Sequence, residues 1–365
     1  MLDTALHDVV ATYAGFGDHH TGTPADAATT EWLTALLDDL GGAVFEDPYL
    51  FERYDVTRFA LTLDGEPVPA VPLFHGATGA FDIERVVVVA VGDGGVAGSA
   101  RGLAPFLGQA GDADGVVLVV DGPDDLPVQC NRIPHESFHL PVAIAAGNWL
   151  DRLQHGRVRL QLDAALVPSS SANVLARFGD VDSPIVNVTT PLTGWTPAAG
   201  ERGTGLAAAL AIATDLATDH RVEFSACSGH ELDHLGLRRL LAQSTTTHRP
   251  TIHLGASIAA VEHGPTGAHL ATSRMCLSTA QGAVRDELAS ILEPASWRLA
   301  DMEPPWPGEG GTWLDAGSPV LSLLGRFSLF HTAHDTVERA TTPEALALAT
   351  RQAVAAARRF CEEMA

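Results

Sequence analysis

The sequence contains no lysine: all 22 of its basic residues are arginine. That absence excludes Schiff-base chemistry, covalent attachment of pyridoxal phosphate and a P-loop lysine. Cysteine is scarce too. Cys130, Cys227, Cys276 and Cys361 lie far apart and form no CxxC pair, which argues against a disulfide framework or a cysteine zinc knot and for reduced, buried thiols. No apolar run approaches the roughly 18 to 20 residues of a membrane span, and Met1 to Val10 lacks the basic, apolar and small-residue order of a signal peptide. A cytoplasmic protein without a membrane partner is expected. Positive charge is in deficit: a net charge of −23 and the lack of any basic stripe set the chain against phosphate backbones, so nucleic acid is not an expected partner.

What is present is a globular composition, 46% apolar and 18% charged, in a chain of 365 residues, long enough for one large domain with an insertion. Apolar spacing predicts a helix through Tyr13 and another from Ala25 to Leu40, the latter stopped at Gly41-Gly42. From Val44 the pattern shortens to strands at Phe59–Leu63, Val68–Leu73, Val86–Val91, Gly115–Asp121 and Leu140–Ala145, with a helical stretch at Gly102–Gly111. After a loop at Val167–Ser171, apolar strands alternate with helices. The strands are placed at Asn173–Arg177, Ile185–Thr189, Arg221–Ala226, His253–Ala260 and Val320–Leu324, and the helices at Gly203–Ala217, Leu235–Ala242, Gly282–Leu292 and Pro343–Glu363. The expected architecture is an α/β three-layer sandwich with a mostly parallel central sheet covered by helices, plus a β-rich inserted domain. In residue numbers, 1–55 and 167–365 form the α/β domain and 56–166 the insert.

Loops at the carboxyl ends of parallel strands collect functional groups in such folds. Three contain candidate metal ligands: Glu201 before the helix that follows strand 185–189, Glu231 after strand 221–226, and His331 after strand 320–324. Two carboxylates and an imidazole suit a catalytic zinc, which takes three protein ligands and keeps a position open. Each glutamate alone reads more readily as a helix N-terminal charge or a surface residue, and it is the joint placement of the three that points to a metal. His230-Glu231-Leu232-Asp233-His234 also spells HExxH, but that motif needs an established helix, and here the strand ends only a few residues earlier. No G-x-S-x-G elbow follows any strand, which disfavours a serine hydrolase.

These residues resemble the zinc aminopeptidase family that includes bacterial leucine aminopeptidases and glutaminyl cyclases. His19-His20-Thr21-Gly22-Thr23-Pro24 is similar to the family's opening loop, and Phe330-His331-Thr332-Ala333-His334-Asp335-Thr336 matches its closing motif in full. Ala113–Asp121 and Leu140–Ala146 are similar to a protease-associated domain. The resemblance implies two zinc ions, yet Thr190, Leu192 and Ser257 fall where a histidine, its supporting aspartate and a second aspartate would stand. Glu201, Glu231 and His331 keep the ligands of the other ion, and His230 takes the place of the glutamate base.

The implied function is an aminopeptidase-like, metal-dependent hydrolase of a peptide or amide bond with one zinc and His230 as general base, since an imidazole can take that role at neutral pH. Two alternatives stand beside it: an inactive relative that uses the cleft for binding or assembly, and glutaminyl cyclase-like acyl transfer. Asp335 is expected either to orient a neighbouring imidazole or to cap the helix starting at Val337. His334, His263, His19 and His20 are candidates for the pocket lining. Trp195, Trp306 and Trp313 read as either an apolar substrate wall or packing. The expected partner is a small peptide-like or amide substrate, with oligomerisation left open.

Overall fold

The computed structural model describes residues 2–93, 103–131, 139–243, 248–265 and 267–364. The helix α1 (Leu2–Gly15) leads through a loop to α2 (Pro24–Asp39). Proline opens α2, the Thr23 hydroxyl accepts from the Asp26 amide at 3.3 Å, and Gly41 at φ 84° lets Gly42 N–H return to the Leu37 carbonyl at 3.0 Å. Those are the start and stop that the sequence announces, with glycine at the one left-handed position that ends the helix.

The strands follow as β1 (Ala43–Leu63), β2 (Glu66–Pro67), β3 (Ala70–Pro72), β4 (Gly79–Ile83), β5 (Val86–Asp93), β6 (Gly115–Asp121), β7 (Val142–Ala146) and β8 (Val158–Phe178). Between β5 and β7 lies the short helix α3 (Ala104–Leu107), and between β7 and β8 lies α4 (Leu150–His155). The predicted helical stretch is thus shorter than expected, and its first residue, Gly102, lies outside the described residues. Then come β9 (Ile185–Pro191), α5 (Thr204–Leu216), β10 (Arg221–Cys227), α6 (Leu235–Gln243), β11 (Thr251–Leu254), β12 (Val261–Gly264), β13 (Gly267–Leu270), β14 (Arg274–Ser278), α7 (Gly282–Leu292), β15 (Arg298–Leu299), α8 (Gly308–Asp315), β16 (Val320–Gly325), α9 (Val337–Ala340) and α10 (Pro343–Met364).

The large sheet runs β15-β14-β16-β11-β9-β10-β8-β1-β2, with β4 added on β8. Its centre, β16-β11-β9-β10, is parallel; β14 and β8 join it antiparallel on either side, and the edge strand β15 runs parallel to β14. Helices α2, α5, α7 and α10 bury their apolar faces in one core on the sheet, with Leu33, Leu210, Leu288 and Phe360 among its members. On the other face α6 and α8 close a smaller core around Leu237 and Trp313. The three layers expected of the sequence are therefore present.

Two expectations change. The residues 167–171, read as a loop because of Pro168 and its serines, continue β8, which pairs with β1 from Ala43↔Arg177 to Leu63↔Val158. The long ladder satisfies the backbone there, which local turn composition cannot reveal. The strand read at His253–Ala260 ends at Leu254, and the chain from Gly255 onward is the loop that borders the site. A second, four-stranded sheet, β3-β7-β6-β5, forms on the outer reach of β1 and β8, with its own core around Leu118 and Ile144. No helix among the described residues is long and apolar enough to cross a membrane.

Phe360 is fully buried where α10 meets the main core. Phe360→Ala is expected to lower unfolding free energy by about 3 to 5 kcal/mol through lost burial and a residual cavity, read as a shift of the urea midpoint. A shift worth less than about 1 kcal/mol would mean that α10 does not close this core.

Candidate functional site

Strand β9 ends in a loop that re-enters the fold at Ala198, which has φ 50°, and winds through one wide turn of π-helix, Ala199–Gly203, before α5 begins. Single π-turns mark sites where a helix entry is re-aimed. Here the turn sets Glu201 and Arg202 side by side and inside, 0% and 3% exposed. It is held from below by Asp335, whose carboxyl oxygens accept the Gly200 amide at 2.6 Å and the Glu201 amide at 3.0 Å. Asp335 therefore neither caps the following helix, whose N-cap is Thr336, nor orients a histidine. The close approach of α5 to the β11 end depends on Gly205: a side chain there would meet the Gly255 carbonyl at 2.8 Å.

Glu201 meets two cationic or imidazole groups. An Nη2 of Arg202 lies 2.9 Å from its Oε1, and His331 Nε2 lies 3.3 Å from the same oxygen. Burial alone would raise the Glu201 carboxyl; Arg202, then His331 and His19, outweigh it and hold it at about 2, so the group is ionised. The Arg202 Nε donates to the Thr193 carbonyl at 2.9 Å. His331, itself at φ 62°, is clamped from the second sheet's side of the molecule. Its Nδ1 donates to the Gln129 carbonyl at 2.9 Å, and its own carbonyl accepts the Gln129 amide at 2.9 Å.

Glu231 is engaged differently. Its Oε1 accepts from the Thr21 amide at 2.6 Å and the Thr21 hydroxyl at 2.5 Å, and its Oε2 accepts from the Thr193 hydroxyl at 2.8 Å. Burial still raises its carboxyl above the usual range, with the Thr21 and Thr193 hydrogen bonds opposing. The loop motif at Thr21-Gly22 thus anchors Glu231 rather than merely opening α2. Of the three expected ligands, Glu201 and His331 touch, whereas Glu231 is enclosed by the two threonines. Among the described residues, no group of three or more His, Cys, Asp or Glu side chains is arranged to hold a metal ion.

His230 opens a short 3₁₀ turn, His230–Leu232, and Asp233 and His234 both have left-handed backbone, at φ 58° and 60°. α6 starts only at Leu235, so HExxH does not lie on a helix. The His230 and His234 rings stack at 4.9 Å. His230 Nδ1 lies 3.1 Å from Oε1 of Glu309, the second residue of α8. Burial raises the Glu309 carboxyl to about 8 and lowers the His230 imidazole well below its ordinary value. We therefore assign the contact as a hydrogen bond between neutral groups: the carboxylic O–H donates to Nδ1, and the ring proton sits on Nε2.

A pocket of about 230 Å³ opens beside these groups, and Arg202, His230, His253 and His331 line it, joined by Asn131 and Arg326. Glu201 and Glu231 are not in its wall. A larger groove of about 740 Å³ between α1, α2, α5 and α10 is mostly apolar and carries none of these groups. Of the expected lining, Trp195 is buried, stacked on His20 at 4.9 Å and tied through Nε1 to Asn131 Oδ1 at 2.6 Å. His19 stacks on Tyr13 at 3.9 Å. His263 bonds the Arg339 carbonyl at 2.8 Å on the exposed β12–β13 hairpin, and His334 contacts the Arg339 guanidinium. Trp313 belongs to the α6–α8 core, and Trp306 packs against it. None of these lines the pocket. Sequence reading missed Arg202, His253, Glu309 and Gln129. Only Arg202 left a signal, a permanent cation immediately after a proposed ligand.

No protein-family profile matches the chain, and no curated protein aligns with it significantly. Its structure is similar to that of a zinc aminopeptidase from Bacillus subtilis, at a TM-score of 0.73 and 15% identity, over 97% of this chain and 94% of the other. A peptidase M28 precursor from Shewanella amazonensis gives 0.74 and 16%, over 98% and 94%. A glutaminyl cyclase from Porphyromonas gingivalis gives 0.50 and 10%, over 100% and 98%. The chain has the zinc aminopeptidase fold.

Glu231→Gln puts an amide donor against groups that donate, and is expected to cost about 1 to 3 kcal/mol of stability, measured by urea unfolding; an unchanged midpoint would mean that the Thr21 and Thr193 contacts are not made. Glu309 yields a pH test. Its carboxyl is raised from 4.5 in the unfolded chain to about 8 when folded, so its contribution is complete below pH 4.5 and drains away as pH rises toward 8. The Glu309→Gln variant carries a neutral amide there, which mimics the protonated acid at every pH. Relative to that variant, the wild type should lose up to about 1.4 kcal/mol per pH unit across that window. Parallel profiles for the two proteins would contradict the assignment.

Proposed function

We propose that the chain uses the aminopeptidase cleft to bind a small peptide-like ligand without a catalytic metal, as a binding protein built on a peptidase fold. The observation that carries this reading is Arg202. Its guanidinium pairs with Glu201 at 2.9 Å, and its side chain lines the pocket from which Glu201 and Glu231 are absent. Zinc placed on Glu201 would lie against a fixed positive charge that arginine cannot relinquish. The third expected ligand, Glu231, already accepts three hydrogen bonds. As arranged, Glu231 does not join Glu201 and His331 around a zinc ion, and both Glu201 oxygens lie buried beside Arg202 without a hydrogen-bond partner. Among the described residues, the pocket wall also includes no carboxylate to receive the ammonium of a free amino terminus, a group that an aminopeptidase must accommodate. We take the insert, residues 56–166, as a protease-associated-like unit whose loop supplies Gln129 and Asn131.

One observation favours a second reading, the single-zinc hydrolase with His230 as base. His331 gives its Nδ1 proton to Gln129, which turns Nε2 toward Glu201 as in a ligand pair. Elemental analysis of protein produced with added zinc, paired with turnover of amino-acid amides and N-terminal glutamine peptides before and after chelation, separates the two. Zinc far below one per chain and no chelator-sensitive turnover are expected. Close to one zinc per chain, with turnover lost on chelation, would replace the first reading by the second.

A further inference from the structure

A second cavity, of about 300 Å³, lies between α6, α8 and the strands β1, β8 and β10, and none of the cleft residues lines it. Its floor follows from strand alternation. Phe45 on β1 pairs with Leu175 on β8, which pairs on its other side with Ser225 on β10, so the three side chains form one row on one face of the sheet. Two residues further along β1, Asp47 stands on that same face; on the opposite side of the row, Arg177 pairs with Glu223.

The two ends of the row differ in how their charges are met. Glu223 is occupied by Arg177 at 2.9 Å and Arg221 at 2.6 Å, and the Arg177 guanidinium also lies over the Phe45 ring, 4.9 Å from its centroid. Asp47 has one neutral partner, the Asn173 amide, which donates to its Oδ2 at 3.0 Å, and it forms no ion pair among the described residues. Trp313 is the third group, and it is independent of both ends. It lines the cavity from α8, it is 2% exposed, and its indole Nε1 is buried without a hydrogen-bond partner. An indole N–H can only donate, and a buried one ordinarily finds an acceptor; left unpaired it costs stability. Phe45, Leu175 and Leu240 add apolar surface to the same wall. A space of about 300 Å³ holds a ligand of roughly a dozen non-hydrogen atoms.

We propose that this cavity binds a small primary amine with an apolar body and a carbonyl oxygen, the chemistry of an amino-acid amide. The ammonium pairs with Asp47, the carbonyl accepts from Trp313 Nε1, and the apolar body covers Phe45 and Leu175. The carboxylate missing from the cleft wall is present here, so the cavity is a second recognition site on the other face of the sheet. Nothing in this assignment depends on whether the cleft holds zinc.

The test is titration calorimetry of the full chain with phenylalaninamide and two relatives: hydrocinnamamide, which lacks the ammonium, and phenethylamine, which lacks the carbonyl. Phenylalaninamide should bind, hydrocinnamamide should bind roughly tenfold more weakly for want of the charged contact, and phenethylamine should be weaker severalfold for want of the indole hydrogen bond. Asp47→Asn keeps an acceptor for Asn173 while removing the charge, and should weaken phenylalaninamide roughly tenfold. Phe45→Ala, at a position 37% exposed where folding is not at stake, should weaken it severalfold. No binding of phenylalaninamide at about 10 mM overturns the inference. Equal binding of hydrocinnamamide overturns the role of Asp47, and equal binding of phenethylamine that of Trp313. Affinity unchanged in both Asp47→Asn and Phe45→Ala puts the ligand elsewhere and overturns the site, whatever the zinc content of the cleft.

Discussion

The site is organised around one buried positive charge. Arg202 sits 2.9 Å from Glu201 and bonds the Thr193 carbonyl, and its field reaches Glu309, His230 and His253. A buried guanidinium is tolerable only when paired; removing one partner of such a pair typically costs about 3 to 5 kcal/mol. The pairing fixes the protonation pattern around it. Glu201 is ionised because a cation lies beside it, whereas Glu309 and Asp335, buried farther from compensation, are pushed up to about 8 and remain protonated at neutral pH. His230 and His253 stay neutral because burial and Arg202 both oppose a second positive charge. A two-zinc site would need the opposite pattern, with several ionised carboxylates facing an open point.

The rest of the architecture holds that arrangement in place. The π-turn that carries Arg202 is supported by Asp335 from the loop after β16, and by the Ser257 amide, which donates to the Glu201 carbonyl at 2.9 Å. The second sheet contributes as well. Gln129 clamps His331 through two hydrogen bonds, and Asn131 receives the Trp195 indole, so a loop of residues 126–131 forms part of the cleft wall. The outer reach of the β1–β8 ladder sets the second sheet against the large one, with Leu61, Leu63 and Leu160 packed on Val117, Val119, Ala143 and Ala145.

The fold was legible because its signals are redundant. Continuous apolar strands at Ile185–Thr189 and Arg221–Ala226, the Ala-rich helix after Gly203 and the ordered motifs from Thr21 to Thr336 all point to one layered sheet, and the structure follows them. The loop expected at 167–171 failed because a proline and three serines suggest a turn locally, while a partner strand more than a hundred residues away decides otherwise. The site was legible only in location. Motif position puts Glu201, Glu231 and His331 in one region, but says nothing of Thr21 and Thr193 consuming the lone pairs of Glu231. Glu309 and His253 are invisible for a similar reason: one lies at the start of a glycine-rich helix and the other on an apolar strand, and only the packing of α8 on β11 and β16 turns them toward the cleft. Arg202 was readable in principle, as a cation next to a ligand position.

Zinc-soaked crystals, measured for anomalous scattering at the zinc edge and refined far enough to place the Arg202 side chain, test the central claim most directly. The account requires guanidinium density against Glu201, with no anomalous peak between Glu201 and His331. A strong peak bonded to Glu201 and His331 Nε2, with Arg202 swung out of the cleft, would contradict it.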